Sequence, residues 1–250
     1  MSQRRVTTTV RAVETPEGAG ARVKRALPNS QIGVLDPFVL LDEFFVQPPA
    51  GFPEHPHRGF EIVTYVLGGG FGHRDSAGNV ETISAGGVQK INAGRGISHS
   101  EMPVGRELGH GLQLWVNLAK ALKSLEPDYQ SVPKLGIPEV EGPDNLVRTI
   151  VGDGSPVVLH TPVLYLDVTL QPGGQWGAEV PRNYNGLVYV LRGSGRFGPE
   201  GAPGRAGELL VLGEGDSLSA GAEAAEPLRF ALIAGEPHNE PIRLRGPYVD

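Results

Sequence analysis

The sequence predicts an all-β protein with two similar domains in tandem. Three observations support this fold class: short apolar strands recur along the 250 residues, glycine-rich turns separate them, and one strand-and-turn unit is repeated. The 36 glycines and 22 prolines fall between apolar runs, as in LGGGFG and LRGSGRFG. This distribution is typical of tight turns between many short strands in a sandwich or barrel.

Ten segments have the length and β-branched or apolar content of strands. In chain order they are VTTTVRAV (6–13), PFVLLDEFF (37–45), EIVTYVL (61–67), NVETISA (79–85), VQKINA (88–93), GLQLWVNL (111–118), VLYLDVTL (163–170), GLVYVLRG (186–193), ELLVL (208–212) and LRFALIA (228–234). The pattern allows one short helix, around LAKALKSLE (118–126).

An internal repeat predicts the domain organisation. EIVTYVLGGGFG (61–72) resembles NGLVYVLRGSGRFG (185–198), and their YVL triplets lie 124 residues apart. The stretch 130–145, rich in proline and charge, is the natural linker. We therefore expect domains at 1–133 and 134–250.

Composition excludes several functional classes. The net charge of −6 argues against a nucleic-acid surface, and the lack of cysteine excludes thiol catalysis, disulfides and cysteine-bound metal. The N-terminus lacks the apolar core of a signal peptide, and no apolar run approaches the ~18 residues of a membrane span. The expectation is a cytoplasmic protein that contacts neither nucleic acid nor membrane.

Two short motifs predict a metal site. In HPHRGFE (55–61) and GISHSEMP (96–103), the pairs His55/His57 and His99/Glu101 each have i, i+2 spacing, which places both side chains on one face of a strand. Two such pairs on neighbouring strands would bring together imidazole and carboxylate groups that suit iron, nickel, cobalt, manganese, copper or zinc. A lone HxH motif would be a weak signal, because such pairs are often surface residues.

The identity of the carboxylate ligand stays open at this level. HPHRGFE with Gly68 also fits the general cupin pattern HxH-x3-E-x6-G, in which the ligand would be Glu61 instead of Glu101. The remaining histidines have no partner at useful spacing, so we expect surface positions or local hydrogen bonds for His73, His110, His160 and His238.

Longer stretches show a family resemblance. LLDEF (40–44), GFPEHPHRGFE (51–61), AGRGISHSEMP (93–103), GLQLWVNL (111–118), EPDYQ (126–130) and NYNGLVYVLRGSG (183–195) are similar to the pirins, a branch of the cupin superfamily. The resemblance implies a bicupin of two jelly-roll-like β-barrels, with one metal, usually iron, in the first. It places the ligands at His55, His57, His99 and Glu101, and leaves Glu61 in the wall of the site or behind its ligands.

The second half lacks these ligands. At the 124-residue offset His55 meets Glu179, His57 meets Pro181 and Glu61 meets Asn185, and the segment 217–227 contains no histidine. We therefore expect no metal in the C-terminal barrel.

The resemblance also implies an activity. Some pirins act as quercetin 2,3-dioxygenases, which open a flavonol ring with O2 and release carbon monoxide. In such an enzyme Glu101 would be the base for the flavonol 3-hydroxyl. Gln113, Trp115 and Asn117 alternate with apolar residues, so Gln113 and Trp115 are candidates for the substrate pocket, although Trp115 suits a core position equally well.

Other functions remain open. Other pirins are described as metal-dependent regulatory proteins that bind a transcription factor or a metabolic enzyme, and a different cupin reaction or a structural metal is also compatible with the sequence. A cavity beside the metal would favour an enzyme, because a regulator needs only a buried metal and an exposed surface.

Overall fold

The structure, a computed structural model, describes residues 2–250 and divides into two compact units. The N-terminal domain comprises residues 13–137, 159–161 and 238–250, and the C-terminal domain comprises residues 2–12, 138–158 and 162–237. The start of the chain thus belongs to the C-terminal domain, and the end of the chain belongs to the N-terminal domain. The predicted domains 1–133 and 134–250 follow the chain order and do not include this exchange. Among the described residues there is no helix with the length and apolar character needed to cross a membrane.

The secondary structure consists of short strands and two 3₁₀ turns. The strands are β1 (Val6–Arg11), β2 (Val13–Glu17), β3 (Ala21–Leu27), β4 (Phe38–Val46), β5 (Phe52–His57), β6 (Phe60–Gly68), β7 (Gly70–Asp75), β8 (Val80–Ser84), β9 (Val88–Asn92), β10 (Ile97–Pro103), β11 (Gly109–Asn117), β12 (Asp128–Val132), β13 (Glu139–Glu141), β14 (Asn145–Val151), β15 (Val163–Leu170), β16 (Gln175–Glu179), β17 (Asn185–Arg192), β18 (Ser194–Phe197), β19 (Ala202–Arg205), β20 (Glu208–Leu212), β21 (Ser217–Ala222), β22 (Leu228–Gly235), β23 (Leu244–Arg245) and β24 (Tyr248–Val249). The 3₁₀ turns span Lys120–Leu122 and Lys134–Gly136. The all-β, two-domain prediction is confirmed, and each of the ten predicted strands overlaps an observed strand.

Both domains have the same sheet arrangement. The N-terminal domain has a seven-stranded sheet, β12-β9-β6-β11-β4-β3-β2, and a four-stranded sheet, β5-β10-β7-β8. The C-terminal domain has a seven-stranded sheet, β1-β20-β17-β22-β15-β14-β13, and a four-stranded sheet, β16-β21-β18-β19. Strand for strand the two orders correspond, with β6 matching β17 as the repeat predicts. One edge strand of this large sheet comes from different parts of the chain: β12 follows the other strands of its sheet, whereas β1 comes from the start of the chain.

The hydrophobic core differs between the two domains. In the C-terminal domain one cluster of sixteen buried residues fills the space between the sheets. In the N-terminal domain the core is divided into two clusters. Along β6, Ile62 belongs to one cluster and Val66 to the other, and Thr64 lies between them on the same face. A layer of polar side chains therefore interrupts the N-terminal core.

One prediction about local structure is wrong. The helix expected over 118–126 is only the 3₁₀ turn Lys120–Leu122, because the segment is too short to form a stable α-helix without packing. Lys123 anchors this turn by donating to the carbonyl oxygens of Gly59 and Val249 and to Asn117 Oδ1. The boundary between the two domains falls between residues 137 and 138, inside the predicted linker 130–145. This stretch also contains most of β12 and all of β13, which complete the edges of the two large sheets.

Candidate metal centre

Three predicted ligands lie together at one end of the N-terminal four-stranded sheet. β5 and β10 are antiparallel neighbours in which His99 pairs directly with His55, and His57 lies two residues further along β5. One ring nitrogen from each of His55, His57 and His99 lies within 4.8 Å of the others. The strand ends immediately after His57, since Gly59 adopts φ +90° and a side chain there would collide with Val249 O. This break sends Glu61 into the other sheet.

Hydrogen bonds orient two of these imidazoles. His55 Nδ1 donates to Pro53 O at 2.7 Å, and His57 Nδ1 contacts Pro247 O at 3.4 Å. Because a carbonyl oxygen can only accept, these bonds place the proton on Nδ1 and leave the lone pair on Nε2, as is usual for metal-bound histidine. His99 is 1% exposed and neither of its ring nitrogens has a hydrogen-bond partner. A buried imidazole of this kind fits a metal ligand.

Burial keeps the imidazoles of His57 and His99 neutral. Together with the influence of His55, it lowers the pKa of His57 to about 3. Together with the influence of His57, His55 and His73, it lowers the pKa of His99 to about 2. Neutral imidazole is the form that binds a metal, so these two side chains require no deprotonation near neutral pH.

Glu101 lies further along β10, in a fully buried cradle of hydrogen-bond donors. Its Oε1 accepts from Thr64 Oγ1 at 3.4 Å and from Gln89 Nε2, and its Oε2 accepts from Gln113 Nε2 at 3.0 Å. Burial raises the pKa of Glu101 to about 7, and the hydrogen bonds from Gln113, Thr64 and Gln89 oppose this shift. Such a carboxyl group can gain or lose a proton near neutral pH.

The structure adds His73 to the cluster, which the sequence analysis missed. His73 on β7 pairs with Glu101 on β10, and ligand atoms of His73, His99 and Glu101 lie within 4.8 Å of one another. His99 is therefore common to two groups of potential ligands. The signal that could have revealed His73 is the same i, i+2 spacing, here with Asp75.

Asp75 fixes the orientation of His73. Its Oδ2 lies 3.1 Å from His73 Nε2, and it also accepts hydrogen bonds from Asn79. His73 stacks on Tyr129 with ring centroids 4.3 Å apart, and its buried Nδ1 has no partner. Burial lowers the pKa of His73 despite the acidic neighbour.

Glu61 belongs to neither group. This fully buried carboxylate accepts from the backbone N–H of His160 at 2.9 Å, lies 2.9 Å from His160 Nδ1 and 3.6 Å from Lys90 Nζ. The other histidines are locally hydrogen-bonded as expected: His110 Nε2 lies 2.8 Å from Glu43 Oε1, and His238 Nε2 lies 2.9 Å from Asn117 O.

A cavity of about 640 Å³ opens beside the histidines. Its lining consists of Glu17, Gly18, Val23, Arg25, Pro28, Leu40, Asp42, Phe44, Phe52, Pro53, Glu54, His55, His57, Gln113, Trp115, Leu244, Gly246 and Pro247. This volume is within the range of small-molecule sites, about 300–1,000 Å³. The walls are mainly apolar, with polar groups at the histidines and at one charged region.

Gln113 and Trp115 both line this cavity. Trp115 Nε1 donates to Gln113 Oε1 at 3.1 Å, which turns the amide nitrogen of Gln113 toward Glu101. Trp115 also stacks on Phe60 with ring centroids 4.3 Å apart and belongs to the core. It therefore combines the two roles that the sequence left open. Asn117, the third residue of this series, is buried and bonded to Lys123 instead.

The C-terminal domain has no comparable group among its described residues. All seven histidines lie in the N-terminal domain. The strand registers place Ala178 opposite Leu218, as His55 lies opposite His99, and Val180 follows where His57 stands. The 124-residue offset matched His55 and His57 with Glu179 and Pro181, which is one position too far along the chain. The reason is that, counted between equivalent positions, the connection from β16 to β17 is one residue longer than the corresponding connection from β5 to β6.

Comparison with known families agrees with this architecture. Residues 20–116 match the family model Pirin, and residues 165–250 match the model of the pirin C-terminal cupin domain. Together these matches cover most of the chain.

Individual relatives cover nearly the whole chain. A pirin-like protein of Solanum lycopersicum is 46% identical over 93% of this chain and 82% of its own length. Pirin of Homo sapiens is 42% identical over 99% of this chain and 88% of its own. Among solved structures, a quercetin 2,3-dioxygenase from Acinetobacter baumannii superposes with a TM-score of 0.87 and 28% identity, covering 98% of this chain and 91% of that one.

Proposed function

The chain belongs to the pirin family, and on that premise we propose that it is a metal-dependent dioxygenase that acts on a flavonol of the quercetin type. The observation that carries the proposal is the cavity of about 640 Å³ with His55 and His57 in its wall. The name of the Acinetobacter baumannii relative supplies the substrate class and O2 as co-substrate.

The proposed metal ligands are His55, His57, His99 and Glu101. The three histidines converge, burial keeps His57 and His99 neutral, and Glu101 follows His99 by two residues on the same strand. Iron is the proposed metal, and this set of nitrogen and oxygen ligands also suits manganese, nickel, cobalt, copper and zinc. Bound there, the ion would polarise a hydroxyl oxygen as a Lewis acid and allow reaction with O2.

Glu101 is the proposed general base. Its pKa of about 7 matches a group that accepts a proton near neutral pH. Glu101 does not line the cavity itself, but Gln113 lines the cavity and donates to Glu101 Oε2. The amide of Gln113 therefore holds the carboxylate in place next to the space in which a substrate would lie.

The apolar part of the cavity suits a flat aromatic molecule. Trp115 packs edge-on against the His57 ring, with centroids 4.9 Å apart, and lines the cavity with Leu40 and Phe44. We propose that Gln113 and Trp115 contact the flavonol, Gln113 through its polar amide and Trp115 through its ring. A regulatory protein acting on a partner would not need a cavity of this size, so the cavity favours the enzyme.

Oxygen uptake with quercetin tests the proposal. Iron-loaded protein should consume O2 and release carbon monoxide, and a chelator should stop both. Flavone, which lacks the 3-hydroxyl group, should not react because it offers no proton to Glu101. The His57→Val variant, which copies Val180 of the C-terminal domain, should be inactive. Absence of O2 uptake with iron, manganese, nickel, cobalt and copper would refute the enzyme and favour the regulatory role.

A further inference from the structure

One region of the cavity wall carries charge. Arg25 Nε and Nη2 bond to the two carboxylate oxygens of Asp42 at 3.0 and 2.7 Å, and Nη2 also bonds to Glu17 at 2.7 Å. All three residues line the cavity. We call Glu17, Arg25 and Asp42 the charged end.

The charged end lies on the same sheet as the polar residues around Glu101. Arg25 pairs with Asp42, and Asp42 pairs with Gln113, on three adjacent strands. Neighbouring strands are about 4.8 Å apart, so Arg25 lies roughly 10 Å from Gln113 across the sheet. A three-ring aromatic molecule held at the histidines can span this separation.

The charged side chains that line the cavity are mainly acidic. Glu17 and Asp42 of the charged end and Glu54 beside His55 line it together with one cation, Arg25. Asp42 is almost fully buried, whereas the Glu17 side chain is 44% exposed and keeps a carboxylate oxygen for a ligand. Carboxylates accept hydrogen bonds from hydroxyl groups and repel other anions.

We propose that the charged end recognises hydroxyl groups on the outer rings of the substrate, and so selects neutral polyhydroxylated aromatic molecules. The inference rests on the proposed flavonol chemistry, and adds which features of the flavonol are recognised. The carboxylate of Glu17 accepts a hydrogen bond from a ligand hydroxyl group, and Arg25, itself bonded to Asp42, holds this carboxylate in position.

The alternative is that the three residues only brace strands β2, β3 and β4. The C-terminal domain supplies a matched control, because Glu139 on β13 bonds to Arg148 on β14 at 2.7 Å and its side chain is 43% exposed. Bond length and exposure match those of Glu17, and both residues lie on the outermost strand of their seven-stranded sheet, but Glu139 lies on the outer face and in the domain without the histidine group.

The test compares two ligands that share the 3-hydroxyl and 4-carbonyl groups. Quercetin carries hydroxyls on both outer rings, and 3-hydroxyflavone carries none there. Dissociation constants are measured by absorbance titration of the zinc-loaded full chain without oxygen, since zinc is redox-inert and permits binding without turnover. Wild type, Glu17→Gln and Glu139→Gln are compared.

Wild type should bind quercetin roughly tenfold more tightly than 3-hydroxyflavone. Glu17→Gln should reduce this ratio by about threefold or more, by weakening quercetin alone, and Glu139→Gln should leave it unchanged. Equal weakening of both ligands by Glu17→Gln, or an unchanged ratio, would overturn the inference in favour of a bracing role. Failure of both ligands to bind wild type would instead refute the proposed function itself.

Discussion

The two domains can be compared along one row of residues that crosses the inner face of each seven-stranded sheet. In the N-terminal domain, the residues paired across β3, β4, β11, β6 and β9 are Arg25, Asp42, Gln113, Thr64 and Gln89. In the C-terminal domain, the corresponding residues across β14, β15, β22, β17 and β20 are Thr149, Leu166, Leu232, Val188 and Leu210. The row is polar throughout in the N-terminal domain. The corresponding row in the C-terminal domain is apolar except at Thr149, its outermost residue.

The facing sheet shows the same contrast. His73, His99 and Glu101 correspond by register to Phe197, Leu218 and Ala220, which are all buried in the single C-terminal core cluster. The three residues that donate hydrogen bonds to Glu101, namely Thr64, Gln89 and Gln113, also have apolar counterparts in the row described above. The comparison explains why the N-terminal core is split into two clusters: the polar side chains around Glu101 occupy the layer that is apolar in the other domain.

The outer faces of the two sheets are alike. Glu43 on β4 lies 3.3 Å from Lys24 and 2.8 Å from His110. At the matching positions, Asp167 on β15 lies 3.4 Å from Arg148 and 2.8 Å from Arg229. Both domains thus place a buried acid on a central strand between two basic side chains. The scaffold tolerates a change of function when the inner row changes and the outer contacts stay.

The largest effect is expected when His99 is replaced by its C-terminal counterpart, as His99→Leu. Loss of a shared ligand should weaken metal binding by more than about 100-fold, while the apolar side chain replaces an imidazole that makes no hydrogen bond. Metal analysis and chelator competition on the full chain measure this. His110→Gln is the control and should keep its metal; full occupancy in His99→Leu would contradict the assignment.

The metal-free protein should lose stability in mild acid. The pKa values of His57 and His99 fall to about 3 and 2 on folding, so below pH 6.5 the unfolded chain binds more protons at both sites. Glu101, with its pKa raised to about 7, acts oppositely between pH 4.5 and 7, because the folded state then binds the extra proton. For these three groups the net of one proton lowers the unfolding free energy by about 1.4 kcal/mol per pH unit between pH 6.5 and 4.5. The lowered pKa of His73 adds to this loss.

Removing one histidine should flatten this dependence. In His99→Leu the contributions of His57 and Glu101 cancel, so the unfolding free energy should change little with pH from these groups. Urea unfolding of the chelator-treated chain, followed by Trp115 fluorescence in a Trp176→Phe background, reports on the N-terminal domain. An equally steep pH dependence in His99→Leu would show that other groups dominate.

Glu101→Gln should separate the two candidate carboxylates. The substitution keeps the shape of the side chain but removes its charge, so metal affinity should fall by about tenfold and dioxygenase activity should be lost. Glu61→Gln should keep the metal, because Glu61 bonds to His160 and Lys90 instead. If Glu61→Gln released the metal and Glu101→Gln did not, the general cupin pattern would describe the site better.

Much of the fold could be predicted because strand and turn signals are local. The exchange of chain ends could not, since β1 pairs with β20 across some two hundred residues and only the register shows it. His55, His57 and His99 could be identified from i, i+2 spacing. Glu101 could be chosen over Glu61 only by resemblance, because the break at Gly59 that separates Glu61 from the histidines depends on the close approach of Val249.

The polar row was visible in part. Asp42, Thr64 and Gln113 are polar residues at inward positions of strands that are otherwise apolar, as in FVLLDEFF, EIVTYVL and GLQLWVNL. Such an exception marks a candidate functional residue, because a buried polar group needs a partner. The partners themselves, and the charged end at Glu17 and Arg25, depend on pairing between strands distant in sequence.

The smallest effect is expected on the outer faces, where the two domains agree. Glu43→Gln and Asp167→Asn each remove a buried acid from between two basic side chains, and should each destabilise the protein by about 1–2 kcal/mol. The cost stays modest because all four basic side chains are partly exposed, so water solvates them once the acid is neutral. Neither variant should alter metal affinity. Glu43 lies on the face of the sheet opposite to the side chains that hydrogen-bond to Glu101, and Asp167 lies in the other domain. Urea unfolding and metal titration of both variants test this. A loss of metal affinity in Glu43→Gln alone would show that the outer face of the N-terminal sheet also belongs to the functional site, and the two domains would then differ on both faces.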